Sequence, residues 1–214
     1  MIQSLSIQAQ DWPNLLRYVN DNSKLELPKA NENRVVFMGN SITEGWINSD
    51  PEFFKNNSYI NRGISGQTTP QMLLRFRADV INLQPKVVVI LAGINDIAGN
   101  TGPSTLEMME GNIASMAVLA KAEGIKVVLS SVLPAYDFPW AHGIEPAEKV
   151  VALNEWIKNY AQENGFVYVD YFSSMVDERK GLIAELSGDG VHPNEKGYKI
   201  MEPLVKNAIA LALK

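Results

Sequence analysis

Two histidines occur in this 214-residue chain, and one of them, His192, follows Asp189 by three residues in the run Gly188-Asp189-Gly190-Val191-His192-Pro193. An imidazole works as a base only when something orients it. A carboxylate on the same tight turn can accept a hydrogen bond from Nδ1 and leave Nε2 facing a nucleophile. Glycines on either side of Asp189 permit backbone angles that a bulkier residue resists, and Pro193 stiffens the exit. The same run also reads as a surface turn whose aspartate caps the C-terminal helix. The catalytic reading requires a nucleophile elsewhere in the chain.

Three other segments carry suitable groups. Gly39-Asn40-Ser41-Ile42-Thr43-Glu44-Gly45 places a serine at a glycine-led turn, where its Oγ and its own N–H can face one space. It is not the Gly-x-Ser-x-Gly elbow, because Thr43 replaces the second glycine. The glycine spacing is also wrong for a phosphate-cradling loop, and no Lys-Ser or Lys-Thr follows. Taken alone, Ser41 reads more simply as a helix cap. Gly63, in Asn61-Arg62-Gly63-Ile64-Ser65-Gly66-Gln67-Thr68, can offer a backbone N–H with no side chain in the way, or can be an ordinary turn glycine. Asn95, in Ala92-Gly93-Ile94-Asn95-Asp96, can donate its side-chain amide to a developing oxyanion or simply occupy a β-turn.

What positions these groups is a repeated pattern of short apolar runs followed by longer segments of helical period. Residues 34–38, 86–91, 126–130 and 166–169 read as strands, with 58–61 a weaker fifth. The middle two are nearly continuous in Val, Ile and Leu, as parallel strands buried on both faces are. Thr69 and Pro70 are the N-cap and first-turn pair of a helix running towards Asn82, and Pro103-Ser104 opens another that Gly124 closes. A third runs from Glu145 to Asn164, and the last begins near Glu195. An early helix over residues 13–20 is expected across the sheet edge. Strands alternating with helices predict a three-layer α/β/α sandwich on a five-stranded parallel sheet, with right-handed crossovers and the ligand beyond the carboxyl ends of the strands. Ser41, Gly63 and Asn95 all follow predicted strands.

Composition narrows the function classes. The hydrophobic share of 46%, the charged share of 20% and the length fit one globular domain over residues 1–214, with 1–33 as a helical lead-in. A net charge of -5 argues against nucleic acid or an anionic membrane as the main partner. No apolar stretch approaches the roughly 20 residues needed to span a bilayer. The absence of cysteine removes disulfides, thiolate metal sites and a cysteine nucleophile together. As written, the chain suits a cytoplasmic setting. Ile7-Gln8-Ala9-Gln10 can also be the trimmed tail of a signal segment, which would place the protein in a periplasmic or secreted setting. Oligomeric state stays open.

The order strand–Ser, strand–Gly, strand–Asn and finally Asp-x-x-His resembles the SGNH (GDSL-type) hydrolase family, whose four blocks centre on Ser, Gly, Asn and His. The matching stretches are Gly39-Asn40-Ser41, Gly63 in Asn61-Arg62-Gly63, Gly93-Ile94-Asn95-Asp96 and Asp189-Gly190-Val191-His192-Pro193, from about Arg34 to the C-terminus. The resemblance implies the flavodoxin-like fold of that family. It also implies Ser41 as nucleophile, His192 as base, Asp189 as its orienting carboxylate, and an oxyanion hole of the Ser41 and Gly63 N–H groups with the Asn95 side chain. One departure is visible: Asn40 stands where the family usually has Asp.

That resemblance implies hydrolysis of an ester through an acyl-enzyme, with no metal or organic cofactor. His142 is too isolated in sequence from carboxylates to argue for a metal. The segment from Ser131 to Trp140 is expected to overhang the site, with Tyr136, Phe138 and Trp140 as flat faces for a sugar ring or a short acyl group, and Trp46 as a further wall. The expected substrate is a short-chain, acetyl-type ester of a carbohydrate or similar polar alcohol. A lysophospholipase or thioesterase of the same family, or a non-catalytic glycan-binding module on this fold, are the alternatives.

Overall fold

The computed structural model describes residues 11–214. The Ile7–Gln10 stretch that the sequence offers as a signal remnant lies outside them. Five strands, β1 (Val35–Gly39), β2 (Tyr59–Gly63), β3 (Val87–Leu91), β4 (Lys126–Ser130) and β5 (Val167–Val169), form one parallel sheet in the order β2-β1-β3-β4-β5. This is the flavodoxin-like order, and all five expected strands are in it. Every residue of β1 and β3 is buried, which explains their unbroken apolar sequences.

The helices are α1 (Val19–Ser23), α2 (Ser41–Ser49), α3 (Pro51–Lys55), α4 (Thr69–Asp79), α5 (Ile94–Ile97), α6 (Leu106–Ala122), α7 (Pro146–Asn164), α8 (Phe172–Met175) and α9 (Glu195–Ala212). Right-handed crossovers put α4, α6 and α7 side by side on one face of the sheet, with α2, α3 and α9 on the other. The strand order reverses between β1 and β3, so a crevice opens beyond the carboxyl ends of those two strands. Ser41 and Asn95 stand at that switch point.

Local signals were shifted by a residue or two. The cap of α4 is Thr68, in a reciprocal pair with Gln71, so Thr69 is the first helical residue. Thr105 caps α6 by accepting from the Met108 N–H, two residues past Pro103 at the expected start. The lead-in differs more. Asn14 has a φ of 56°, and Asp11 accepts the Leu15 and Leu16 N–H groups, so residues 13–18 form turns and only Val19–Ser23 is helical. The segment still docks on the edge strand β2. The Tyr18 hydroxyl donates to the Gly63 carbonyl, and the Tyr18 ring lies between the guanidinium groups of Arg17 and Arg62, 4.7 and 4.6 Å from its centre.

Candidate active site

Three loops meet above the switch point. Helix α2 begins at Ser41, directly after β1, and Asn40 caps it by accepting the Ile42 N–H at 3.0 Å. The Ser41 N–H is one of the first-turn donors for which a helix has no internal acceptor. The Asp189–His192 turn arrives from the far end of the chain. Ser41 Oγ lies 2.9 Å from His192 Nε2, across 151 positions of sequence. His192 Nδ1 lies 2.7 Å from Asp189 Oδ2. A carboxylate can only accept, so Nδ1 carries the proton and Nε2 is left to accept the Ser41 hydroxyl.

The turn itself is tightly braced. Asp189 Oδ1 accepts the Val191 and His192 N–H groups at 2.9 and 2.8 Å, and Gly190 takes a φ of +79° that a side chain would resist. Ser187, which the sequence reading passed over, donates to the His192 carbonyl at 2.7 Å and accepts from the Gly190 N–H at 2.9 Å. Partial burial pushes the Asp189 carboxyl up, but the His192 backbone and ring bonds and the Val191 N–H together bring it down to about 2. The capping role that competed for Asp189 belongs to Asn194, which accepts the Gly197 N–H at the start of α9.

Asn95 begins its turn inside α5, where it is buried and donates Nδ2 to the Gln67 carbonyl at 3.0 Å. Its second amide hydrogen is uncommitted by that bond. Gly63 needs correction. Its N–H donates to Asn61 Oδ1 at 2.9 Å, deep under helix α2, so it is not available to a ligand. The reason for a glycine there is close packing. A Cβ would lie 2.2 Å from Glu44 N and 2.7 Å from the Asn40 carbonyl, both backbone atoms of the helix that carries Ser41. Gly63→Ala is therefore expected to lower the melting temperature, at the upper end of the ~1–3 kcal/mol typical of overpacking, read by thermal denaturation. The open glycine of this stretch is Gly66, which is exposed and whose N–H meets no acceptor among the described residues. The Gly63-Ile64-Ser65-Gly66 spacing, with the second glycine clear of the strand, was the signal for it.

Two of the expected aromatic walls also need correction. Trp46 is buried, stacked on Phe53 and Tyr198 with ring centres 4.9 and 5.3 Å away. Position 46 lies about 140° round the helix from Ser41, on the face it shares with Ile42, and that face meets the core. Phe138 is likewise buried, with Trp140 stacked on it at 5.2 Å. Tyr136 is exposed, but beneath Arg179 in a separate cavity of about 410 Å³ that neither Ser41 nor His192 lines. Trp140 alone of the four reaches the site, half-exposed, with its ring centre 5.9 Å from that of His192. His142, isolated in sequence, is paired in space: its Nδ1 lies 2.7 Å from Asp137 Oδ2. Among the described residues no hydroxyl hydrogen-bonds to it.

A groove of about 740 Å³ leads to Ser41 and His192, and much of its lining is polar. Arg17, Tyr18, Asp21 and Leu25 of the lead-in form one wall, and Glu44, Asn48 and Ser65 contribute to the rest. Arg17 pairs with Glu44 at 3.3 Å, and Glu44 also accepts the Ser65 N–H and hydroxyl. Partial burial raises the Glu44 carboxyl, but the Ser65 and Arg17 bonds leave it below its ordinary value. Behind the groove the fully buried Arg75 donates to the Gly39 carbonyl and to Asp79 at 3.0 Å each, and to Gln67 Oε1 at 2.5 Å. It thereby braces the turn that leads into Ser41 against the loop after β2.

Residues 37–200 match the family described as GDSL-like lipase/acylhydrolase. The chain belongs to that family. Like its members, it is a carboxylic ester hydrolase, and its fold recurs in their structures. A GDSL-like lipase from Bacteroides thetaiotaomicron VPI-5482 is 54% identical, with a TM-score of 0.92 over 94% of this chain and 98% of that one. Esterase TesA of Pseudomonas aeruginosa is 29% identical over 73% of each chain. An acetylxylan esterase of Xylanibacter ruminicola is 26% identical over 85% of this chain and 44% of that larger protein.

Proposed function

We propose that this GDSL-family esterase removes short acyl groups, acetyl by preference, from a carbohydrate or similarly polar alcohol, through a Ser41–His192–Asp189 triad. The observation that carries the reading is the unbroken hydrogen-bonded line from Ser41 Oγ through both ring nitrogens of His192 to Asp189. Ser41 Oγ attacks the ester carbonyl as its proton passes to His192 Nε2. Asp189 holds the resulting imidazolium. The tetrahedral oxyanion is received by the N–H groups of Ser41 and Gly66 and by Asn95 Nδ2, Gly66 taking the place that Gly63 cannot fill. Each such donor is worth about 10²–10³-fold in kcat. His192 then gives its proton to the departing alcohol. Water, deprotonated by the same ring, attacks the acyl-serine and releases the acid.

The preference for a polar alcohol is supported by Arg17, Asp21, Glu44 and Asn48 of the groove, which can hydrogen-bond hydroxyl-rich groups. The exposed Trp140 offers a stacking face next to the base. The likeness to a protein named an acetylxylan esterase supports the same direction. Turnover of p-nitrophenyl acetate and decanoate, alongside acetyl release from acetylated oligosaccharides, tests the reading. Acetate is expected to exceed decanoate by at least about tenfold, since a long acyl chain held among charged side chains must be ordered without the burial that would offset that cost. Preferential cleavage of decanoate, or of a lysophospholipid or acyl thioester, would replace the proposed substrate.

A further inference from the structure

Asn100 is exposed and lies five residues beyond Asn95, yet it is tied to three parts of the site. Its backbone N–H donates to the Asn95 carbonyl at 3.0 Å. Its Nδ2 donates to the Gly66 carbonyl at 3.2 Å. Its Oδ1 accepts the indole N–H of Trp140 at 3.4 Å. Two successive carbonyls of the loop after β2 are thus held by two asparagine amides, Gly66 by Asn100 and Gln67 by Asn95.

We propose that Asn100 is a positioning residue for the reaction, holding the Gly66 N–H in line with Asn95 and tying both to the Trp140 wall beside His192. The proposal rests on the assignment of Gly66 to the oxyanion hole. The physical reason is conformational freedom. An exposed glycine has the widest range of backbone angles of any residue, so its N–H points in one direction only if its neighbours hold it there. Gln67 anchors the far side of the loop to Arg75 and Asn95. On the near side Glu44 accepts the Ser65 N–H and hydroxyl, and Asn100 fixes the Gly66–Gln67 peptide, so the glycine's own two torsions are pinned from both ends. A hydrogen bond to a charge that develops only in the transition state loses strength steeply when its donor swings away, so the loss falls on kcat.

The test compares Asn100→Ala, Asn100→Asp and Trp140→Phe on p-nitrophenyl acetate, with melting temperatures recorded for each. Asn100→Ala is expected to lower kcat by roughly 10–100-fold, less than full loss of a donor, with KM within about twofold and an unchanged melting temperature. Asn100→Asp keeps the shape and can still accept from Trp140, but a carboxylate cannot donate to Gly66, so it is expected to lose at least as much. Trp140→Phe keeps the stacking and removes only the indole N–H, and is expected to lose less than either. Wild-type kcat in Asn100→Ala or Asn100→Asp would overturn the proposal, as would a loss of activity that only tracks a loss of stability. Wild-type hydrolysis that survives Ser41→Ala would instead mark the failure of the underlying catalytic reading.

Discussion

Ser41→Ala is expected to lower kcat for p-nitrophenyl acetate by about 10⁴–10⁶-fold while leaving the melting temperature essentially unchanged. The side chain is only partly buried, and among the described residues it hydrogen-bonds to His192 Nε2, so its removal costs the fold little. What remains is an oxyanion hole and a binding groove without an attacking atom, and such sites retain a residual ~10³–10⁴-fold advantage over water. His192→Ala is expected to fall to the same floor, and the double variant no further, because nucleophile and base act as one unit. Labelling of the wild type by a fluorophosphonate, mapped to the Ser41 peptide, is the positive counterpart. Near-normal turnover by Ser41→Ala would end the triad assignment.

Asp189→Asn is expected to cost about 10⁴-fold in kcat with the turn intact. Oδ1, which accepts the Val191 and His192 N–H groups, is kept. The atom facing His192 Nδ1 becomes a donor, so Nδ1 must turn acceptor and the proton moves to Nε2. An Nε2–H cannot take the serine proton. Activity within tenfold of wild type would refute the role. The carboxyl also sets a pH boundary. Its value of about 2 lies below the 3.8 of an unperturbed aspartate, so its hydrogen bonds contribute their full stability above about 3.8 and lose it as pH falls towards 2. Asp189 therefore remains a carboxylate throughout the range in which imidazoles ordinarily titrate. The acid limb of a kcat/KM profile is expected to show one proton, and a second acid-limb ionisation would argue against this geometry.

How much of this was legible beforehand depends on whether a feature is local or long-range. The five strands were readable because buried parallel strands are apolar without interruption, and the crevice location followed from their alternation with helices. The orientation of His192 by Asp189 was readable because both lie on one four-residue turn with glycine where a positive φ is needed. The boundaries of the lead-in were not, since Asn14 in the left-handed region and the Asp11 bonds to Leu15 and Leu16 leave no mark in hydrophobic spacing. The aromatic walls failed for a related reason. Trp46, Phe138 and Trp140 are equally apolar in sequence, and only packing against Phe53, Tyr198 or the His192 ring separates core from groove.

Gly63 and Gly66 mark the division most sharply. Gly63 ends β2 and Gly66 follows it, and both lack a side chain, so residue type alone assigns either to an oxyanion hole. The tertiary structure decides between them by giving the Gly63 N–H to Asn61 and pressing its Cα against the backbone of helix α2, while leaving Gly66 in the open. By itself the sequence determined which chemical groups are present and which strand ends deliver them, because those depend on residue type and local periodicity. Only the tertiary structure decided which of them meet, because the 2.9 Å between Ser41 and His192, 151 positions apart in sequence, is set by the sheet order and by the packing of α2 against α9.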